Sequence, residues 1–147
     1  MVVSSIEPWV LSFDPQWLLL RQRWNGHYSR STFRADVERV VQQLQEWRVR
    51  RWLVDLNGMP HLSLEDQMWF ATVVVPVLAT LPIKSLAVVF SSSFHNQRAV
   101  ESMAETEARY IRCDMQFFAD VQAADEWLVN PDAPKLFVPE PKWRMSA

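Results

Sequence analysis

Glycine is almost missing from this chain: its 147 residues hold two, Gly26 and Gly58. That argues against a scaffold of mobile glycine loops and for a stiff, closely packed body. Cysteine is scarcer still. Cys113 stands alone, which rules out an internal disulfide and suits a reducing compartment, so a cytoplasmic protein is expected. There is no basic excess either. The formal net charge is −2, whereas nucleic-acid-binding domains carry a clear positive surplus, so no nucleic acid is expected as a partner. The start, Met1 to Pro8, has neither the basic nor the apolar region of a signal peptide. The longest uncharged apolar stretch, Met68 to Ile83, is too short to span a bilayer and contains Pro76 and Pro82.

What the chain has in abundance is tryptophan, eight in all, which adds bulky rings to an otherwise ordinary balance of 49% hydrophobic and 22% charged residues. The length fits one domain with a substantial core. The most informative stretch is 51–69. Trp52-Leu53-Val54 and Leu56 form an apolar run without alternation, as in a strand covered on both faces. Asn57-Gly58 and Pro60 break it, and Ser63 with Asp66 three residues on resembles a capping box before an apolar helix. A strand feeding a helix in this way is half of a βαβ unit.

The rest of the chain extends the pattern. Trp9, Leu11 and Phe13 alternate with Val10, Ser12 and Asp14, which suggests a strand, and residues 17–24 suggest a second, antiparallel to it across Asp14-Pro15. Phe33, Val37, Val40, Val41, Leu44 and Trp47 recur at helical spacing, with Ser31 or Ser29 as cap and Arg48, Arg50 and Arg51 past the C-terminus. A strand at 51–57, a helix at 64–81, a strand at 83–91, a helix at 96–110, a short strand at 115–118 and a final helix capped by Asp120 follow. Four prolines then mark 131–147 as a C-terminal tail. The expected fold class is α/β: one domain over 1–130, in the order β-β-α-β-α-β-α-β-α, with a mixed, mostly parallel sheet.

This order, with Trp24-Asn-Gly26, Ser31-Thr-Phe33-Arg34, Leu53 to Pro60, Leu62 to Trp69, Ala87-Val-Val89 and Phe117 through Leu128, resembles the STAS superfamily of sulfate transporters and anti-sigma-factor antagonists. It looks closest to the small bacterial SpoIIAA-like or CRAL-TRIO-like members. The resemblance spans roughly residues 9–129. It implies a regulatory domain that works through protein contacts, and in the antagonists a serine at the start of the second helix is phosphorylated. Here that position holds Leu64, which has no hydroxyl; Ser63 lies one residue early, where capping accounts for it, and Glu65 and Asp66 would repel a phosphate.

No catalytic constellation is expected. His61 and His95 follow consecutive core strands, where βα loops gather and ligands sit, and Ser63, Ser91, Ser92 and Ser93 share those loops. Yet there is no G-x-S-x-G elbow, no H-x-x-x-H pair and no paired cysteine, and two converging ligands fall short of a metal site. Neither a metal nor a cofactor is expected, and His61, Ser63 and His95 stand as loop-edge candidates only. Asp55 is expected to accept hydrogen bonds from the amides of Gly58 or Met59. Trp47-Arg-Val-Arg-Arg-Trp52 sets cations beside rings, but a helix end running into a buried strand explains it.

The helix at 64–81 exceeds what folding needs. At ~100° per residue, Leu64, Met68, Ala71, Val75 and Leu78 fall on one stripe. Phe70, Val73, Val74, Val77 and Leu81 fall on a second, with Trp69 at its margin. A helix covering a sheet needs one stripe. The second is expected to meet a neighbouring helix, the tail, a partner or an apolar ligand, and Pro76 to kink the helix. Leu136-Phe137-Val138 and Trp143 make the tail too apolar for a free linker. The expected function is therefore a non-enzymatic protein-interaction module, homodimeric through Trp69, Phe70, Val73, Val74, Val77 and Leu81. The alternative is a carrier or sensor of an apolar small molecule or lipid, with the same stripe lining a pocket.

Overall fold

The computed structural model describes residues 2–6, 9–24, 32–57, 62–89 and 113–130. Six strands form one sheet in sequential order: β1 (Val2–Ile6), β2 (Trp9–Asp14), β3 (Leu19–Trp24), β4 (Arg51–Asp55), β5 (Ser85–Val89) and β6 (Asp114–Phe118). The first two pairings are antiparallel and the remaining three parallel, giving the mixed, mostly parallel α/β sheet expected. β1 is an addition: Val2–Ile6 pairs along the whole of β2, ahead of the first strand that alternation revealed. The helix expected over 96–110 lies outside the described residues, as does the tail.

Alternation in β2 puts Trp9, Leu11 and Phe13 in the core. The turn into β3 is held by the Gln16 amide on Asp14 Oδ1 at 3.0 Å. Leu18 takes φ 50°, a left-handed conformation unusual for a branched side chain, and its carbonyl accepts the amides of Arg50 and Arg51 at 2.9 and 3.1 Å. That clasp sets β4 beside β3, with Leu19 opposite Arg51.

Helix α1 (Phe33–Glu46) buries Phe33, Val37, Val40 and Leu44. Thr32 occupies its N-cap position; Ser29 and Ser31, the expected caps, lie outside the described residues. At the other end Arg48 turns left-handed at φ 52°, the Val49 amide reaches back to the Leu44 carbonyl at 3.1 Å, and Arg48 to Gln45 at 3.2 Å. This is the Schellman pattern, and its hydrophobic partners Leu44 and Val49 are both fully buried.

The sheet is covered on both faces. On one, Leu20, Trp24, Trp52, Leu86 and Val88 join the β2 side chains under α1 and the helix after β4. On the other, Leu19, Leu53, Ala87, Val89 and Phe118 meet Ala124 and Leu128 of the last helix, α4 (Val121–Val129), capped by Asp120 on the Gln122 amide. Trp52 and Leu53 point to opposite covered faces, which explains a strand without alternation. Inside the first layer the Trp52 indole N–H donates to Gln22 Oε1 at 2.9 Å, both side chains being buried.

Candidate interaction surface

After β4 the Asn57 amide donates to Asp55 Oδ1 at 2.9 Å, so Asp55 closes its own turn. The role is the one expected; the donor is Asn57, while Gly58 and Met59 lie outside the described residues. Ser63 then caps helix α2 (Leu64–Trp69), its Oγ accepting the Asp66 amide at 3.1 Å, and the Gln67 side-chain amide donates to the Leu62 carbonyl at 2.9 Å. The Ser63 hydroxyl is thus committed to the helix start.

Asp66, buried, accepts from Arg34 Nε at 3.4 Å. The Arg34 guanidinium lies 5.4 Å from the centre of the Trp69 ring, and Trp69 meets Phe33 edge-on at 6.1 Å. These contacts staple the start of α2 to the start of α1, and in doing so they turn Trp69 toward the body of the protein.

The next turn is not α-helical. Phe70–Val74 is a π turn, in which the Val75 amide reaches the carbonyl of Phe70, five residues back; α3 (Val75–Leu78) follows. A π turn holds one residue more than an α turn, so everything beyond it is rotated by about one position. Pro76 supplies the reason. Its ring would crowd the Thr72 carbonyl in an unbroken α-helix and it has no N–H to offer, a conflict the wider turn relieves. The Thr72 hydroxyl donates back to the Met68 carbonyl at 2.8 Å.

The rotation rewrites the two expected stripes. Val74, expected at a partner surface, is 4% exposed and belongs to the core. Trp69, Phe70 and Leu81 are partly buried against the same core cluster. Val73 and Val77 do face outward, at 48% and 36% exposure. Beside them stand Leu64 at 71% and Met68 at 59%, which uniform helical spacing assigned to the sheet-facing stripe. The outward apolar face is therefore Leu64, Met68, Val73 and Val77. Among the described residues Val121 is the one other large apolar side chain that is exposed. Spacing alone missed Leu64 and Met68; the signal that could have found them is Pro76 in the middle of an apolar helix.

His61 and His95 lie outside the described residues. Among the described residues no group of three or more His, Cys, Asp or Glu comes together as metal ligands would. The Trp47–Trp52 segment is used within the fold: Trp47 stacks on Phe13 at 5.1 Å, Val49 is buried, and Arg51 donates to the Trp17 carbonyl at 2.6 Å while lying over the Trp17 ring. Below α3 a cavity of about 30 Å³ is lined by Trp52, Leu78, Ala79, Leu81, Ile83, Leu86 and Cys113. Burial, with Asp114 beside it, raises the Cys113 thiol from its ordinary 9.0 to about 11.

Among the described residues no helix is long and apolar enough to cross a membrane. No family model matches the chain, and no curated protein or solved structure proved similar to it.

Proposed function

We propose that this chain is a STAS-like, single-domain, non-enzymatic module of the cytoplasm that acts through protein contacts, its partner being a second copy of itself. The observation that carries this reading is the outward row Leu64, Met68, Val73 and Val77, which leaves apolar surface in water on one helix. Charge argues for self-pairing. From Gln67 to Ile83 the chain has no charged residue, so Met68, Val73 and Val77 meet their copies without charge of their own, and the exposed Glu65 flanks the row only at its Leu64 end. The STAS-like assignment rests on the alternation of strands and helices and on the capped helix after β4.

The carrier reading has less behind it. One cavity lined by described residues, that below α3, is about 30 Å³ and has room for one water. A pocket for a lipid or drug-sized ligand runs to ~300–1,000 Å³.

Sedimentation equilibrium of the wild-type chain and of Met68→Asp and Val77→Asp tests the proposal. Self-association in the wild type and its loss in both variants, with unchanged thermal melting, is the expected result. A wild type that stays monomeric at millimolar concentration, or a dimer mass that survives both substitutions, would overturn it.

A further inference from the structure

We infer that the helix after β4 is a two-register element, in which the π turn can close to an α turn and rotate α3 on the sheet. This inference is independent of what covers the outward face. Four observations on different parts of the segment meet in it.

The first is the π turn itself, whose defining bond joins the Val75 amide to Phe70. Closing it moves that amide to the Ala71 carbonyl and turns everything beyond by roughly one residue. The second is that the sequence is apolar in both registers. In the π register Val74, Val75 and Leu78 are buried and Val77 faces out. With Asp66 and Phe70 held in place, an unbroken α-helix brings Val77 inward, eleven and seven residues beyond them, and carries Val75 outward. Val75 and Val77 are both apolar, so exchanging them buries no polar side chain at either position.

Third, Pro76 biases the choice. Its missing N–H and its ring disfavour the α register at the one place where the two differ. Fourth, there is space at the moving end. The 30 Å³ cavity touches Leu78, Ala79, Leu81 and Ile83, the end of α3 and the link to β5, where a close-packed interior would resist rotation. The rotation exchanges Val77 for Val75 on the surface, so a partner that binds one register better shifts the helix toward it.

Thiol labelling of the full chain in a Cys113→Ala background, at low micromolar concentration, tests the switch. Val75→Cys and Val77→Cys are each made with Pro76 and with Pro76→Ala. With Pro76, the cysteine at 77 labels quickly and the one at 75 about a hundredfold more slowly, since Val75 is 1% exposed. Pro76→Ala is expected to raise the rate at 75 by about tenfold or more and to lower the rate at 77. Unchanged rates, or both rates rising together as in local unfolding, would overturn the inference. Should the cysteine variants fail to fold, NMR of the otherwise wild-type and Pro76→Ala chains gives the same answer. The coupling across the hydrogen bond from the Val75 amide moves from the Phe70 to the Ala71 carbonyl if the switch exists, and stays on Phe70 if it does not.

Discussion

A dimer held by the outward face of the helix after β4 must be weak, and how weak follows from the surface on show. The exposed fractions of Leu64, Met68, Val73 and Val77, 71%, 59%, 48% and 36%, amount to about two whole aliphatic side chains. At ~2 kcal/mol for each fully buried side chain, covering them contributes ~4 kcal/mol per copy and ~8 kcal/mol for a two-fold pair. Association costs ~4–15 kcal/mol in lost freedom, so at the favourable end ~4 kcal/mol remains, a dissociation constant near ~1 mM. Met68→Asp removes a little over ~1 kcal/mol from each copy and brings two carboxylates into the interface, weakening the pair by ~50-fold or more. No charge lies between Gln67 and Ile83, and Glu65 beside Leu64 would at most repel its copy, a repulsion that salt screens, so added salt should not loosen the wild-type dimer. Sedimentation equilibrium from ~0.05 to ~2 mM, at low and high salt, reads all three quantities. A nanomolar dimer, one that dissociates as salt is raised, or one indifferent to Met68→Asp would refute the reasoning. Unlike core changes, Met68→Asp should shift folding stability by no more than ~0.5 kcal/mol, which separates lost docking from lost folding.

Three further outcomes are expected of the fold. Ser63→Ala removes the cap on the Asp66 amide and should lower stability in urea denaturation by ~1 kcal/mol. Trp52→Phe strips the buried Gln22 side-chain oxygen of its donor and should cost ~1–3 kcal/mol beyond the lost ring volume, while adding Gln22→Leu should recover part of that loss in a double-mutant cycle. Cys113, with its thiol raised to about 11, should alkylate more slowly at pH 8–9 in the folded chain than in the urea-unfolded one. The same shift makes the unfolded thiol ionise first, so its contribution to stability is intact below pH 9 and declines as the pH rises toward 11, as denaturation at stepped pH would register.

The sheet was legible because its signals are local. Trp9, Leu11 and Phe13 alternate, and Trp52-Leu53 does not, and each pattern states how many faces are covered before any partner strand is known. The strands and helices described fall where spacing and caps put them, with ends shifted by a few residues: the strand read at 83–91 is Ser85–Val89, and that at 17–24 begins at Leu19. β1 was not legible. Val2–Ile6 is short, and what makes it a strand is the length of β2 alongside it, a fact of pairing rather than of spacing. The clasp of Leu18 on Arg50 and Arg51 is equally silent in sequence, because left-handed leucine and arginine have no residue-type signature such as glycine gives.

The outward apolar face was half legible, and the missing half has one cause. Assigning stripes requires a constant angle per residue, and that assumption holds from Ser63 to Trp69 and again from Val75, but not across the π turn. Two opposed apolar stripes were therefore a correct observation with the wrong division: Val74 went to the partner side, Leu64 and Met68 to the sheet. Proline was read as a bend in direction, when its larger effect here is a change of phase. A helix that is apolar almost all round tolerates such a change, since whichever residues it turns inward can be buried. The same redundancy that blurred the reading of the sequence thus lets the chain absorb Pro76 without a polar group in its core, and leaves Leu64, Met68, Val73 and Val77 facing outward.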